Sequence, residues 1–251
     1  VENEKSWLVP SLSLPDPQTT YPLAELSEIE SIQLFKARAT TAMPAFQLSE
    51  KNANSVRKIC THLDGIPLAI ELAAARIKLF GPDIISDWLD RRFQLLTGNT
   101  GTSIERHRTL RAAIEWSYDL LDNKEQMLFN RLSVFAGSFD MAAVERVCSF
   151  EPLESAEILD VFSGLIEKSM VFTQTTSEGF YRYRLLETLR HFGMEKLASG
   201  DSERTREKHY DYFLGIAEDA FNDRLGNEEK LAHRLELDHA NFIAALDTVQ
   251  N

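Results

Sequence analysis

The chain has 251 residues, 43% of them hydrophobic, which is enough for more than one buried core and too much for wholesale disorder. Its 27 Lys and Arg against 39 Asp and Glu give a formal net charge of -12, which disfavours general binding to nucleic-acid phosphates and suits partners with basic surfaces. Two isolated cysteines, Cys60 and Cys148, make no disulfide framework, and no apolar run is long enough to span a bilayer, so the expectation is a cytoplasmic protein with buried free thiols and no membrane partner.

The opening Val1-Glu2-Asn3-Glu4-Lys5 reads as an internal point of a longer protein. Ser6 to Leu14 is apolar and β-prone and breaks at Pro15-Asp16-Pro17, which predicts a short strand or connector and then a loop through Pro22. Ser27-Glu28-Ile29-Glu30 has the spacing of a capping box, and Ile29, Ile32, Phe35 and Ala39 make the apolar stripe of the helix it would open. Ser49 is expected to start a second helix with Val56, Ile59, Cys60 and Leu63 inward. At Asp64-Gly65-Ile66-Pro67 a loop enters a third helix. Asp64 or Gly65 can cap it, and Pro67 has its φ preset for a first turn. The small apolar residues beyond it, as far as Arg76, call for burial among other helices. Two readings stand here: a core helix with a good start, or a rigid helix N-terminus whose proline ring and free N–H groups suit a flat or anionic ligand. The helix should reach Phe80 and stop at Gly81-Pro82, with Ile85, Trp88, Leu89 and Phe93 on the next one.

Thr97 to Ser103 is small and polar, which predicts a domain boundary and a hinge. Thr109 is expected to cap a helix running to Leu121, and Asp122-Asn123-Lys124-Glu125 is a second capping box. Gly137 ends that helix, Asp140 caps the next, and another runs from about Ser155 to Lys168. Two β-prone runs, Ser169 to Gln174 and Phe180 to Leu185, flank Thr175-Thr176-Ser177-Glu178-Gly179, a hairpin pattern. Helix, helix, helix, hairpin, helix is a winged-helix domain. From Ser202 onward the chain reads as helical, with Tyr210, Phe213, Leu214, Ala217 and Phe221 on one apolar side and Leu235, Phe242, Ala245 and Leu246 on another.

Little catalytic chemistry is visible. A P-loop would place a glycine-rich turn before Lys and Ser or Thr, and no such string occurs. No acidic strand end offers itself to magnesium, so the chain is expected not to hydrolyse ATP. None of the histidines (His62, His107, His191, His209, His233 and His239) stands at zinc spacing, and all are expected in surface or capping roles. Thus no catalytic residue and no metal ligand is assigned. The winged helix invites a DNA-binding reading. Its recognition-helix candidate, Ser155 to Lys168, carries Glu157, Asp160 and Glu167 after Glu151 and Glu154, and phosphates would repel it.

Several motifs in order resemble one family. The run Asp64-Gly65-Ile66-Pro67-Leu68-Ala69-Ile70-Glu71-Leu72-Ala73-Ala74-Ala75-Arg76 is similar to the GLPL motif of the NB-ARC class of STAND signalling ATPases, with Ile66 in its second position. Val9-Pro10-Ser11-Leu12-Ser13-Leu14-Pro15 resembles the segment leaving the nucleotide-binding sheet. Arg108-Thr109-Leu110-Arg111-Ala112-Ala113-Ile114-Glu115-Trp116-Ser117-Tyr118-Asp119-Leu120-Leu121 resembles the LSYDxL region, and Leu132-Ser133-Val134-Phe135-Ala136-Gly137 comes after it as in the family. Tyr183-Arg184-Leu185-Leu186-Glu187-Thr188-Leu189-Arg190 sits where the family has its MHD motif.

The resemblance implies a mainly α fold in four parts: a connector from a nucleotide-binding domain (1–26), a helical lid (27–98), a winged-helix domain (104–200) and the start of a TPR-like helical-repeat sensor arm (201–251). It implies that Gly65, Pro67 and Leu68 lie on the adenine side of ADP or ATP, and that Arg184 and Glu187 occupy the MHD-like position. There the family's histidine is replaced by Leu186, which cannot donate a hydrogen bond, so an ADP contact would come from Arg184 or Arg190. On the residues alone, Leu185, Leu186 and Leu189 also read as ordinary core of the last helix. The implied function is the regulatory lid portion of a nucleotide-switched bacterial transcriptional regulator, itself a slow ATPase switch. Its partners would be the upstream P-loop domain, downstream sensor repeats and, on activation, further copies of itself. No nucleotide is expected on the isolated chain and no direct nucleic acid. The alternatives are a winged-helix DNA-binding module and a nucleotide-independent interaction scaffold.

Overall fold

Leu12 and Ser13, near the start of the chain, bond to residues far along it. The computed structural model describes residues 11–16, 19, 21–94, 102–176, 179–222 and 235–247. Helices α1 (Leu23–Leu26) and α2 (Glu30–Ala42) come first, and the Ser27–Glu30 capping box does not form. Ser27 closes α1, donating its hydroxyl to Ala24 O at 2.7 Å. Glu30 instead finds its partner in the connector. The Ser13 N–H donates to Glu30 Oε2 at 2.8 Å, and the Glu30 N–H donates to Ser13 Oγ at 3.3 Å. This is the reciprocal capping chemistry of a box, carried out by a remote serine. Helix α3 (Ala53–His62) starts four residues after Ser49, whose N–H donates to Asn52 Oδ1 at 2.9 Å.

Helix α4 (Pro67–Ala75) lies at the centre of this part. Ala69, Ile70, Leu72, Ala73, Ala74 and Ala75 are buried, since its small side chains let α2 and α6 approach closely. A 3₁₀ turn (Arg76–Lys78) ends it short of Phe80, and α5 (Pro82–Gln94) packs on α3. The Trp88 ring stands edge-on between Phe80 at 4.6 Å and Trp116 at 6.3 Å. Helix α6 (Thr102–Asp119) begins well before Thr109, so Thr109 is an interior residue and not a cap. Its hydroxyl is taken by Asp64 Oδ2 at 2.6 Å. Of the expected hinge, residues 97–101 lie outside the described residues, and Thr102 and Ser103 belong to α6.

Two compact units divide the chain, 1–119 and 120–251. The second opens with the Asp122 capping box as the spacing predicts: Asp122 Oδ1 accepts from the Lys124 and Glu125 N–H groups, and Glu125 accepts from the Asp122 N–H at 2.9 Å. Helices α7 (Asn123–Leu132), α8 (Met141–Cys148, capped by Asp140) and α9 (Ser155–Glu167) come next. Strands β1 (Phe172–Thr175) and β2 (Tyr181–Arg184) pair antiparallel with Phe172 opposite Arg184, and α10 (Glu187–Lys196) closes the domain. Phe129, Leu132, Phe162, Leu165 and Leu189 fill its core. Helix α11 (Ser199–Asn222) packs on α8, and α12 (His239–Asp247) packs on α11. Residues 223–234 lie outside the described residues. Both thiols are buried, as expected, and burial pushes Cys60 up to about 12 and Cys148 higher still. His209 departs from the expected surface or capping role. It is 1% exposed, packed against Phe135 and Phe213, because its place on α11 falls on the apolar side.

Candidate functional sites

The turn before α4 is built from two left-handed residues, Asp64 at φ 51° and Gly65 at φ 64°. Gly65 is needed here twice over. A positive φ favours glycine, and a Cβ at this position would stand 2.4 Å from Leu12 O. The Leu12 N–H donates to Gly65 O at 3.0 Å, so the connector holds the turn from outside. Thr109 holds Asp64 from the other side. Ile66 is extended and precedes the first helical turn without any side-chain cap, Leu68 is half-buried, and Pro67 is exposed at the first helical position. The result is a fixed turn that presents a proline ring beside uncapped backbone N–H groups, a geometry that accepts a flat or anionic group. Gly65, Pro67 and Leu68 are thus brought together. Leu12 and Thr109, which hold them, gave no local signal, since their partners are remote in the chain.

Arg184 and Glu187 lie in the second unit, at the junction of β2 and α10. Arg184 is exposed. Glu187 stands in the first turn of α10 and binds Arg190 through both carboxylate oxygens, at 3.0 and 2.7 Å, with His191 at 2.9 Å. The Arg190 guanidinium holds the Glu187 carboxyl below its usual range. Leu185 and Leu189 are buried and Leu186 is half-buried.

The outward side of α9 carries Asp160, Ser163, Glu167 and Leu159, the last 60% exposed, with Glu154 just before it. Lys168, the cation that ends this stretch, is turned inward onto the buried Glu125. Lys124 is likewise paired with Glu157. A helix with this surface repels a phosphate backbone. The hairpin is different: Phe180 and Tyr181 are 64% and 66% exposed, and Arg184, at the other end of β2, is exposed as well. Among the described residues no cluster of three or more His, Cys, Asp or Glu could hold a metal ion, and no helix is long and apolar enough to cross a membrane.

Residues 121–198 match the family model described as a winged helix-turn-helix domain, in agreement with α7 to α10 and the hairpin. The fold of this part, helices with a small two-stranded antiparallel wing, is that of a winged-helix domain. The chain is 39% identical over 242 residues to the "Putative HTH-type transcriptional regulator Rv0890c" of Mycobacterium tuberculosis and to its counterpart Mb0914c of Mycobacterium bovis, matching 96% of this chain and 26% of either relative. It is 37% identical over 202 residues to the "Uncharacterized protein Rv0894" of Mycobacterium tuberculosis, matching 80% of this chain and 48% of that protein. The chain therefore spans about a quarter of the length of the first relatives and about half of the other.

Proposed function

We propose that this chain is the regulatory portion of a transcriptional regulator, in which the first unit is a lid over ADP or ATP and the second couples nucleotide state to a sensor arm. The reading draws on the NB-ARC-like order of motifs, on the winged-helix match and on the names of the 39% identical relatives. The single observation that carries the nucleotide role is the turn at Asp64 to Pro67. It is fixed by Leu12 and Thr109, and it leaves Pro67 exposed at an uncapped helix start. In this reading the Pro67 ring packs on adenine, and the phosphates are held by a P-loop domain elsewhere in the parent protein. The chain itself supplies no hydrolytic group. Nucleotide acts by stabilising one arrangement of the parts over another, since a ligand shifts an equilibrium only through differential affinity.

The test is Pro67→Ala in the full-length parent. We expect ADP to dissociate about tenfold faster, the equivalent of about 1.4 kcal/mol, with the thermal midpoint nearly unchanged. An unchanged ADP off-rate removes Pro67 from the site and with it the observation on which the lid reading stands.

A second reading is a DNA-binding module. The winged helix-turn-helix match, the relatives' names and the exposed Phe180, Tyr181 and Arg184 of the hairpin support it as much as they support a regulatory lid. The acidic outward side of α9 weighs against it.

A further inference from the structure

The hairpin and helix α12 meet at a buried polar cluster. Arg182 on β2 and Asp238 just before α12 form an ion pair with side chains only 6% and 4% exposed. The Arg182 guanidinium also donates to Ser138 O at 2.7 Å. Asn241 on α12, fully buried, donates from Nδ2 to the same carbonyl at 2.8 Å, and its Oδ1 accepts from the Gly137 N–H at 3.1 Å. The next residue, Phe139, pairs with Tyr183 in both directions at 2.8 Å, so the Gly137–Phe139 segment flanks β2 like a third strand.

We propose that Arg182, Asp238, Ser138 and Asn241 form a latch through which the position of α12 controls the order of the wing hairpin. A two-stranded hairpin alone is marginal in water, and β1 is mostly exposed. The tie of β2 to the protein runs through Tyr183, whose ring meets Phe162 at 4.8 Å, and through Arg182. Withdrawing α12 removes Asp238 and leaves the Arg182 charge buried without its counter-ion. That state is costly, and β2 relieves it by carrying Arg182 out to water. The hairpin therefore loosens when α12 leaves, and by linkage a partner that grips the hairpin in its ordered form tightens α12. The surface so gated is the exposed Phe180, Tyr181 and Arg184. The use of such a latch, an arm signalling to the winged helix, rests on the regulator reading. The coupling itself is a property of this chain, and its test involves neither nucleotide nor DNA.

Hydrogen exchange on the whole chain tests it. Two variants displace α12 by separate routes: Asp238→Asn removes the counter-ion, and Ala245→Phe drives a wedge under the buried side of α12, where Ala245 is 4% exposed. Both should speed exchange at 172–175 and 181–184 by about tenfold or more, along with 239–247, while α7 and α9 keep wild-type rates. In an Arg182→Met background, which has no charge to strand, Ala245→Phe should free α12 and leave the hairpin rates unchanged. Faster exchange in α12 with a hairpin at wild-type rates overturns the latch. So does a hairpin that still responds to Ala245→Phe when Arg182 is Met. If Asp238→Asn loosens the whole unit, the wedge variant decides by the same criteria.

Discussion

The imidazole of His209 is enclosed by the Phe135 and Phe213 rings, at 5.4 and 4.7 Å, with Asn241 beside it. Burial pushes its pKa down from 6.5 to about 4, and Asn241 acts weakly in the opposite direction. The folded value lies below the unfolded one, which sets the sign. Above pH 6.5 the ring is neutral in both states, and its burial contributes in full. Between 6.5 and about 4 the unfolded chain takes up a proton that the folded chain refuses, so stability falls as pH falls. At pH 5.5 the loss should be about 1 kcal/mol, growing to about 3 kcal/mol near pH 4. Urea midpoints at pH 7.5 and 5.5 measure it. His209→Phe should remove that part of the pH dependence, and equal slopes in both proteins would show that His209 takes up its proton equally in the folded and unfolded chains. His209 by itself gives no hint of this in the sequence. Only Phe213, one turn on along the same helix, suggests burial, and Phe135 and Asn241 come from remote stretches.

At the scale of the element, what could be read was what is closed locally. Asp122 and Glu125 stand three apart and cap each other, the hairpin's two runs face across a short turn, and the stripe of α9 holds its period. What could not be read was closed from a distance. Ser27 and Glu30 have the same spacing as Asp122 and Glu125, yet Glu30 belongs to Ser13. Thr109 looks like a cap and is instead a clamp on Asp64. Gly164, inside α9, is another case. By helix propensity, alanine should improve it by about 1 kcal/mol. A Cβ there, however, would stand 2.5 Å from Glu125 Oε1. That carboxylate cannot swing away freely, because it accepts from the Asp122 N–H and pairs with Lys168. Gly164→Ala is therefore expected to destabilise the chain by about 1–3 kcal/mol, the usual range for overpacking. Chemical denaturation reads the result. A gain in stability would mean that Glu125 is held less firmly than its bonds imply.

Across the whole molecule the charge is acidic, and four cations of the second unit, Arg131, Lys168, Arg182 and Arg190, are held by partners within it. Arg131 is fully buried, with its guanidinium on the Cys148 and Phe150 carbonyls at 2.9 and 2.8 Å and on Asp201 at 3.2 Å. Lys168, Arg182 and Arg190 are likewise paired with Glu125, Asp238 and Glu187. Phosphate binding needs cations that face outward, and their number sets the salt dependence of affinity. Fluorescence anisotropy with labelled duplex should therefore show no binding by this chain at physiological salt and at most a weak, salt-sensitive rise at low salt. Nanomolar binding to one sequence would favour the DNA-binding reading and retire the electrostatic argument. Of the candidate positions, Gly65, Pro67 and Leu68 fall together because they are neighbours in one turn. Glu187 was legible as a position only, since its grip on Arg190 depends on the first turn of α10.

Leu12 and Ser13 are neighbours that serve different masters: Leu12 holds Gly65, and Ser13 holds Glu30. The two attachments share one register. An insertion between residue 16 and α1 would lengthen a loop and leave both intact. A single deletion at 12 or 13 would break both at once, undoing the start of α2 and the turn that carries Pro67. Positions 13 and 30, whose side chains make the contact, are therefore bound to change together in lineages that keep this turn, with glycine retained at 65 for as long as the chain takes this course past it.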